Sequence, residues 1–148
     1  MPGFRFRLKT SLHLAEQKLD DRKIQLAQET AKLQERIFTR EKQKEDWLAA
    51  LDSQRKAGLS SPEDLGMWQV FTSGQLRLLR KCEQELILQE ELVARKRSEL
   101  MEARRDCEKL LRLREKQAIA FQLEANRREQ AVIDEVAQVQ YVKQIHNS

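Results

Sequence analysis

The sequence predicts an all-α chain, an antiparallel two-helix coiled-coil hairpin with a C-terminal helical overhang, and three observations carry that expectation. Leu12, Leu19, Leu26 and Leu33 recur every seven residues, as do Leu79, Leu86, Val93, Leu100 and Cys107, which is the spacing of a coiled-coil seam. One short turn signal, Gly58-Leu59-Ser60-Ser61-Pro62, separates the two runs. With 35% charged residues, 5% aromatics and a mean hydropathy of −0.73, the chain is too polar for a sizeable globular core and can bury only a narrow seam. The expected organisation is a single coiled-coil domain over 1–148, with helix 1 at about 8–57, the turn at 58–61, helix 2 at about 62–142 and a tail at 143–148.

Helix 1 is expected to start between Arg7 and Ser11 and to carry its strong positions on the period-seven leucines, continued by Trp47 after a polar step at Arg40. The second seam row is placed four residues on, at Glu16, Lys23, Thr30, Ile37, Lys44 and Leu51. That row is polar until it nears the turn, so the apolar cluster Ile37, Phe38, Trp47, Leu48 and Leu51 predicts a hairpin tightest there and looser at its open end. Gly58 is placed to end helix 1 in a left-handed conformation. Ser61-Pro62-Glu63-Asp64 reads as a helix start, with Ser61 as cap, Pro62 in the first turn and two carboxylates at the positive end of the dipole.

Matching Ala57 with Pro62 sends Lys9 to the neighbourhood of Leu110. Helix 2 keeps its pattern through Val142, which leaves roughly 30 residues, or about 45 Å, without a partner from helix 1. Leu113, Ile119, Phe121, Leu123, Val132, Ile133, Val136, Val139 and Val142 then remain to be covered, and an isolated helix in water needs such cover to be stable.

The formal charge is +4, and its whole excess lies before the turn, where residues 1–57 hold 13 Lys and Arg against 9 Asp and Glu. Arg5, Arg7 and Lys9 form a basic N-terminus ahead of any acidic residue, and elsewhere the signs alternate as on a solvated helix face. The chain has no continuous basic stripe with stacking aromatics, so no nucleic-acid partner is expected. No apolar run approaches the roughly 20 residues of a membrane-spanning helix, and the expected place of the chain is the cytoplasm. Cys82 and Cys107 sit roughly 37 Å apart along one helix, beyond disulfide reach, and form no metal-binding cluster.

Nothing in the sequence converges as an enzyme site must. His13 and His146 stand alone, the four glycines are scattered, and acidic pairs such as Asp20-Asp21 splay around the helix. No catalytic residue, metal or cofactor is expected. Trp68 and Phe71, one turn apart after the turn, define a ridge with Gln75, Leu78 and Cys82 that serves either to close the hairpin cap or to dock a partner.

The opening Phe4-Arg5-Phe6-Arg7-Leu8, leading into leucine heptads, resembles the start of many members of the flagellar export protein FliJ family. The segment from Asn126 to Gln138, with Asn126-Arg127, Glu129-Gln130 and Asp134-Glu135-Val136-Ala137-Gln138 in order, is similar to that family's C-terminal stretch. The resemblance implies a hairpin similar to the coiled-coil stalk of the rotary ATPase gamma subunit. It also implies a soluble component of the flagellar type III export apparatus, which contacts a hexameric export ATPase, the membrane export gate and export chaperones. Its membrane association would be peripheral, at the cytoplasmic face and through those partners only. On this reading Arg127, Glu129, Val132, Asp134, Glu135 and Val136 face the ATPase, and the gate contact falls on Phe71 and its neighbours. Gln75 departs from the family pattern there, where an apolar residue is expected, and Val136 replaces an aromatic in the C-terminal motif. The alternatives are the equivalent stalk of a virulence-type secretion system, a generic structural coiled-coil scaffold, or a basic-tailed binder of nucleic acid or membrane surface through Arg5, Arg7 and Lys9.

Overall fold

A computed structural model describes residues 3–147. Two long helices account for nearly all of them: α1 spans Lys9–Ser60 and α2 spans Leu65–His146, joined through Ser61 and a 3-10 turn at Pro62–Asp64. No strand occurs among the described residues. By contact density the chain divides into two compact units, Lys18–Ala103 and Met1–Gln17 with Arg104–Ser148.

In the first unit α1 and α2 pack antiparallel, with five pairs of side chains bridging them. Gln43 Nε2 donates to Gln75 Oε1 at 2.7 Å, Arg36 to Glu85 at 2.8 Å, Gln89 Nε2 to the Glu29 carboxylate at 2.8 Å, and Lys96 Nζ to Gln25 at 3.1 Å, while Arg22 and Glu99 lie 3.7 Å apart. This register agrees with the one read from the turn. Leu79, Leu86 and Val93 are buried between these polar layers, each 4% exposed, so the period-seven row on α2 is the seam.

Over most of α1 the second seam row lies three residues after the first and not four; the exception is Ile37, half-buried beside the exposed Arg36. Arg22, Glu29 and Gln43 are half-buried and Ala50 and Ala57 buried, whereas Lys23, Thr30, Lys44 and Leu51 are exposed. The physical reason is polar satisfaction. Rows at +3 and +4 are equally short of apolar residues, but Glu29 and Gln43 reach partners across the seam, while Lys23 and Lys44 would bury ammonium groups. Phe38 and Leu48 accordingly face solvent, and only Ile37 and Trp47 of the expected cluster are half-buried. Arg40 Nε and Thr72 Oγ1 are the exceptions, buried with no hydrogen-bond partner, at a cost of about 1–3 kcal/mol each.

The turn also differs from expectation. No glycine among the described residues has positive φ; α1 runs on through Ser60, with Ser61 N donating to Ala57 O at 2.8 Å. A Cβ on Gly58 would meet only Leu65 Cδ1 at 3.7 Å, an ordinary contact, so neither conformation nor crowding requires glycine there. Ser61 makes no side-chain cap; its carbonyl instead accepts from Asp64 N at 3.0 Å, and Pro62 opens the 3-10 turn with the φ its ring fixes.

In the second unit the chain before α1 has no regular structure over residues 3–6 and turns at Arg7 and Leu8, and its side chains alternate in burial: Phe4, Phe6 and Leu8 are half-buried while Arg5 and Arg7 are exposed. The Phe4 and Phe121 rings meet with centroids 5.8 Å apart. The open end is therefore not loose. Leu12 is 3% exposed and Cys107 4%. The strap reaches α2 as far as Phe121, every residue from Asn126 to Asn147 is exposed, and α2 continues to His146, past the expected end at Val142; Ser148 lies outside the described residues.

The Glu29–Gln89 layer supports a test of how polar pairing stabilises the seam. The Gln89 amide, donating to Glu29, holds its carboxyl below the usual carboxylate range, with Lys32 adding to the effect. A carboxylate whose folded pKa is depressed contributes stability above the unfolded value, and that contribution is lost as pH falls through the folded value. Urea unfolding followed by circular dichroism should show wild type losing more stability than Gln89→Met between about pH 5 and about pH 3. Equal losses would show that the bond does not stabilise the ionised form.

Candidate functional site

The described residues hold no group of three or more His, Cys, Asp and Glu able to bind a metal, and His13 and His146 are exposed. The candidate sites are therefore surfaces, set by where helical geometry turns each side chain.

At the far end of α2, every residue from Asn126 to Asn147 is exposed. At about 100° per residue, Val132, Val136 and Val139 share one side with Glu129, while Arg127 and Asp134 stand nearly half a turn away. The six expected ATPase-facing residues, Arg127, Glu129, Val132, Asp134, Glu135 and Val136, thus occupy two sides of one helix. Val132 is 58% exposed and Val136 51%, unusual openness for branched apolar side chains on a helix. The polar side is braced locally: Glu124 lies 3.8 Å from Arg127 and 3.4 Å from Arg128, and Gln130 Nε2 donates to Asp134 at 3.0 Å.

The expected ridge is divided between two directions. Trp68, Gln75 and Cys82 are half-buried toward α1, whereas Phe71 and Leu78 are about half exposed, beside the exposed Met67 and Val70. Trp68 and Phe71 meet edge to face at 5.8 Å. A cleft at this level is lined by Asp46, Ala49, Ala50 and Ser53 of α1 with Trp68, Phe71 and Gln75 of α2, so the indole lies over the small side chains of α1. The polar Gln75 has a structural reason: Gln43 Nε2 donates to both its side-chain and backbone oxygens.

The basic N-terminus, Arg5, Arg7 and Lys9, is exposed, with Lys9 N donating to Phe6 O at 3.2 Å where the strap turns into α1. Phe4, Phe6 and Leu8 were not singled out by sequence reasoning as packing residues. The signal for them was the strict alternation in Phe4-Arg5-Phe6-Arg7-Leu8, which has the period of an extended segment and not of a helix.

No helix among the described residues is long and apolar enough to cross a membrane. Comparison with curated proteins and with solved structures gives no match. A family comparison matches residues 4–145, nearly the whole chain, to FliJ, the flagellar FliJ protein. That span takes in both the Phe4 strap and the exposed end of α2, and the chain belongs to the FliJ family of flagellar export components.

Proposed function

We propose that this chain is a stalk-like activator of the hexameric flagellar export ATPase, and that it links the ATPase to the membrane export gate and to export chaperones. The observation that carries this reading is the stretch of α2 beyond Phe121, a helix continuing through His146 whose Val132, Val136, Val139 and Val142 are each more than half exposed. A lone helix with one apolar side gains stability when a ring encloses it, because burial then removes that side from water. The resemblance to the gamma-subunit stalk of rotary ATPases belongs to the same proposal. The exposed Phe71 and Leu78 are the proposed gate-side contact, and the working location is the cytoplasmic face of the membrane when the apparatus is assembled.

The test measures turnover and oligomeric state of the cognate export ATPase with the full chain and with a chain truncated after Glu124. Stimulation by the full chain, lost on truncation while circular dichroism shows the paired helices retained, is the expected result. Stimulation by both chains, or by neither, overturns the assignment to this end of α2.

A further inference from the structure

The positive charge of the chain is concentrated where the strap meets α2. Residues 3–17 and 104–121 together hold nine Lys and Arg against four Asp and Glu, while residues 18–103 hold sixteen of each. The two regions also differ in how their cations are engaged. Of the sixteen Lys and Arg in residues 18–103, seven, Arg22, Lys32, Arg36, Arg40, Arg55, Lys56 and Lys96, have ion pairs. Among the described residues, none of Arg5, Arg7, Lys9, Arg105, Lys109, Arg112 or Lys116 has one.

Four of these unengaged cations form a line. Arg105, Lys109, Arg112 and Lys116 recur at spacings of four, three and four, which confines them to a helix arc of about 60°. Ile119 and Leu123 continue the line, 55% and 63% exposed, and no carboxylate falls within it. Arg127, the next residue along, is already engaged by Glu124. The four cations are all exposed, on the side of α2 away from buried Ala103 and Cys107.

We infer that this face of α2 docks directly on an anionic lipid surface, with Arg105, Lys109, Arg112 and Lys116 meeting headgroup phosphates and Ile119 and Leu123 entering the headgroup layer. A straight cationic line that ends in exposed aliphatic side chains suits a flat interface that is anionic outside and apolar beneath. Nucleic acid would gain from the cations but not from Ile119 and Leu123, and no exposed aromatic lies on the line for a base to stack on. The contact differs from association through partners alone, since it requires only lipid.

The test is co-sedimentation of the full chain with vesicles of phosphatidylcholine alone and of phosphatidylcholine with phosphatidylglycerol, at low salt and at about 0.5 M salt, where exposed charges are screened. Binding is expected only to the anionic vesicles and only at low salt. Each cation near such a surface tightens binding about fivefold, so losing three of them in Lys109→Glu/Arg112→Glu/Lys116→Glu, with the added repulsion of three carboxylates, should weaken it by at least about 100-fold. The control Lys42→Glu/Lys44→Glu/Lys81→Glu makes the same change in net charge at exposed positions of α1 and α2 and should retain most of the binding. Ile119→Ser/Leu123→Ser should weaken binding with the charges intact, and circular dichroism of each variant checks the fold. No binding to anionic vesicles, equal loss in the two charge-reversed variants, or transfer of the same dependence to duplex DNA in place of vesicles overturns the inference.

Discussion

Leu86→Asp should lower the thermal midpoint of the chain by about 10–20 °C, whereas Leu88→Asp, two residues away, should leave it within about 2 °C. Leu86 is 4% exposed and Leu88 65% exposed, although both are leucines in the middle of α2. The bonded pairs Glu29–Gln89 and Arg36–Glu85 bracket Leu86 and place it level with Leu33, so its side chain lies in an apolar layer between two polar ones. Removing the leucine forfeits about 2–5 kcal/mol, and leaving a carboxylate in its place adds the cost of an unpaired charge. A narrow seam has no second core to absorb the loss. Thermal unfolding by circular dichroism decides the matter, and similar midpoints for the two variants would mean that the Leu79–Leu86–Val93 row is not what holds the helices together.

That row was legible in the sequence because a seven-residue repeat has one structural reading when it is sustained over several heptads. Its companion row on α1 was not. At Lys23 or Arg22 and at Thr30 or Glu29 neither spacing is apolar, and Ala15 against Glu16 is a weak preference, so hydrophobic pattern carried little information about which would turn inward. What selected the +3 row was whether each polar group could find a partner on α2, and Gln75, Gln89 and Glu99 are remote in sequence. The strap illustrates a different limit. Arg5 and Arg7 drew the reading toward charge, while the alternation that puts Phe4 against Phe121 spans five residues, too few for periodicity to stand out without its partner. The basic line on α2 was open to inspection all along, yet it stands out only once the structure shows that none of its four cations has an ion pair, while seven of the sixteen in residues 18–103 do.

The seam reading also sets Trp68 and Phe71 apart, and Trp68→Ala should cost about 2–3 kcal/mol of folding stability while Phe71→Ala costs no more than about 1 kcal/mol. Trp68 is half-buried over a bed of small residues, Ala49, Ala50 and Ser53, where a truncated side chain leaves a gap that two helix backbones cannot close. Phe71 keeps half of its surface in solvent, and its chief loss is the edge contact with the indole at 5.8 Å. Urea titrations of both single variants and of the double variant isolate that contact, whose coupling is expected at about 0.5–1.5 kcal/mol. Equal losses for the two singles would sink the division between a packing residue and an exposed one. The expected inequality makes Phe71 the usable probe of partner docking, because a variant that leaves the helices paired can lose a partner without losing its fold. Binding measured with Phe71→Ala then reports on the surface, and the same measurement with Trp68→Ala would report largely on how well the two helices still meet.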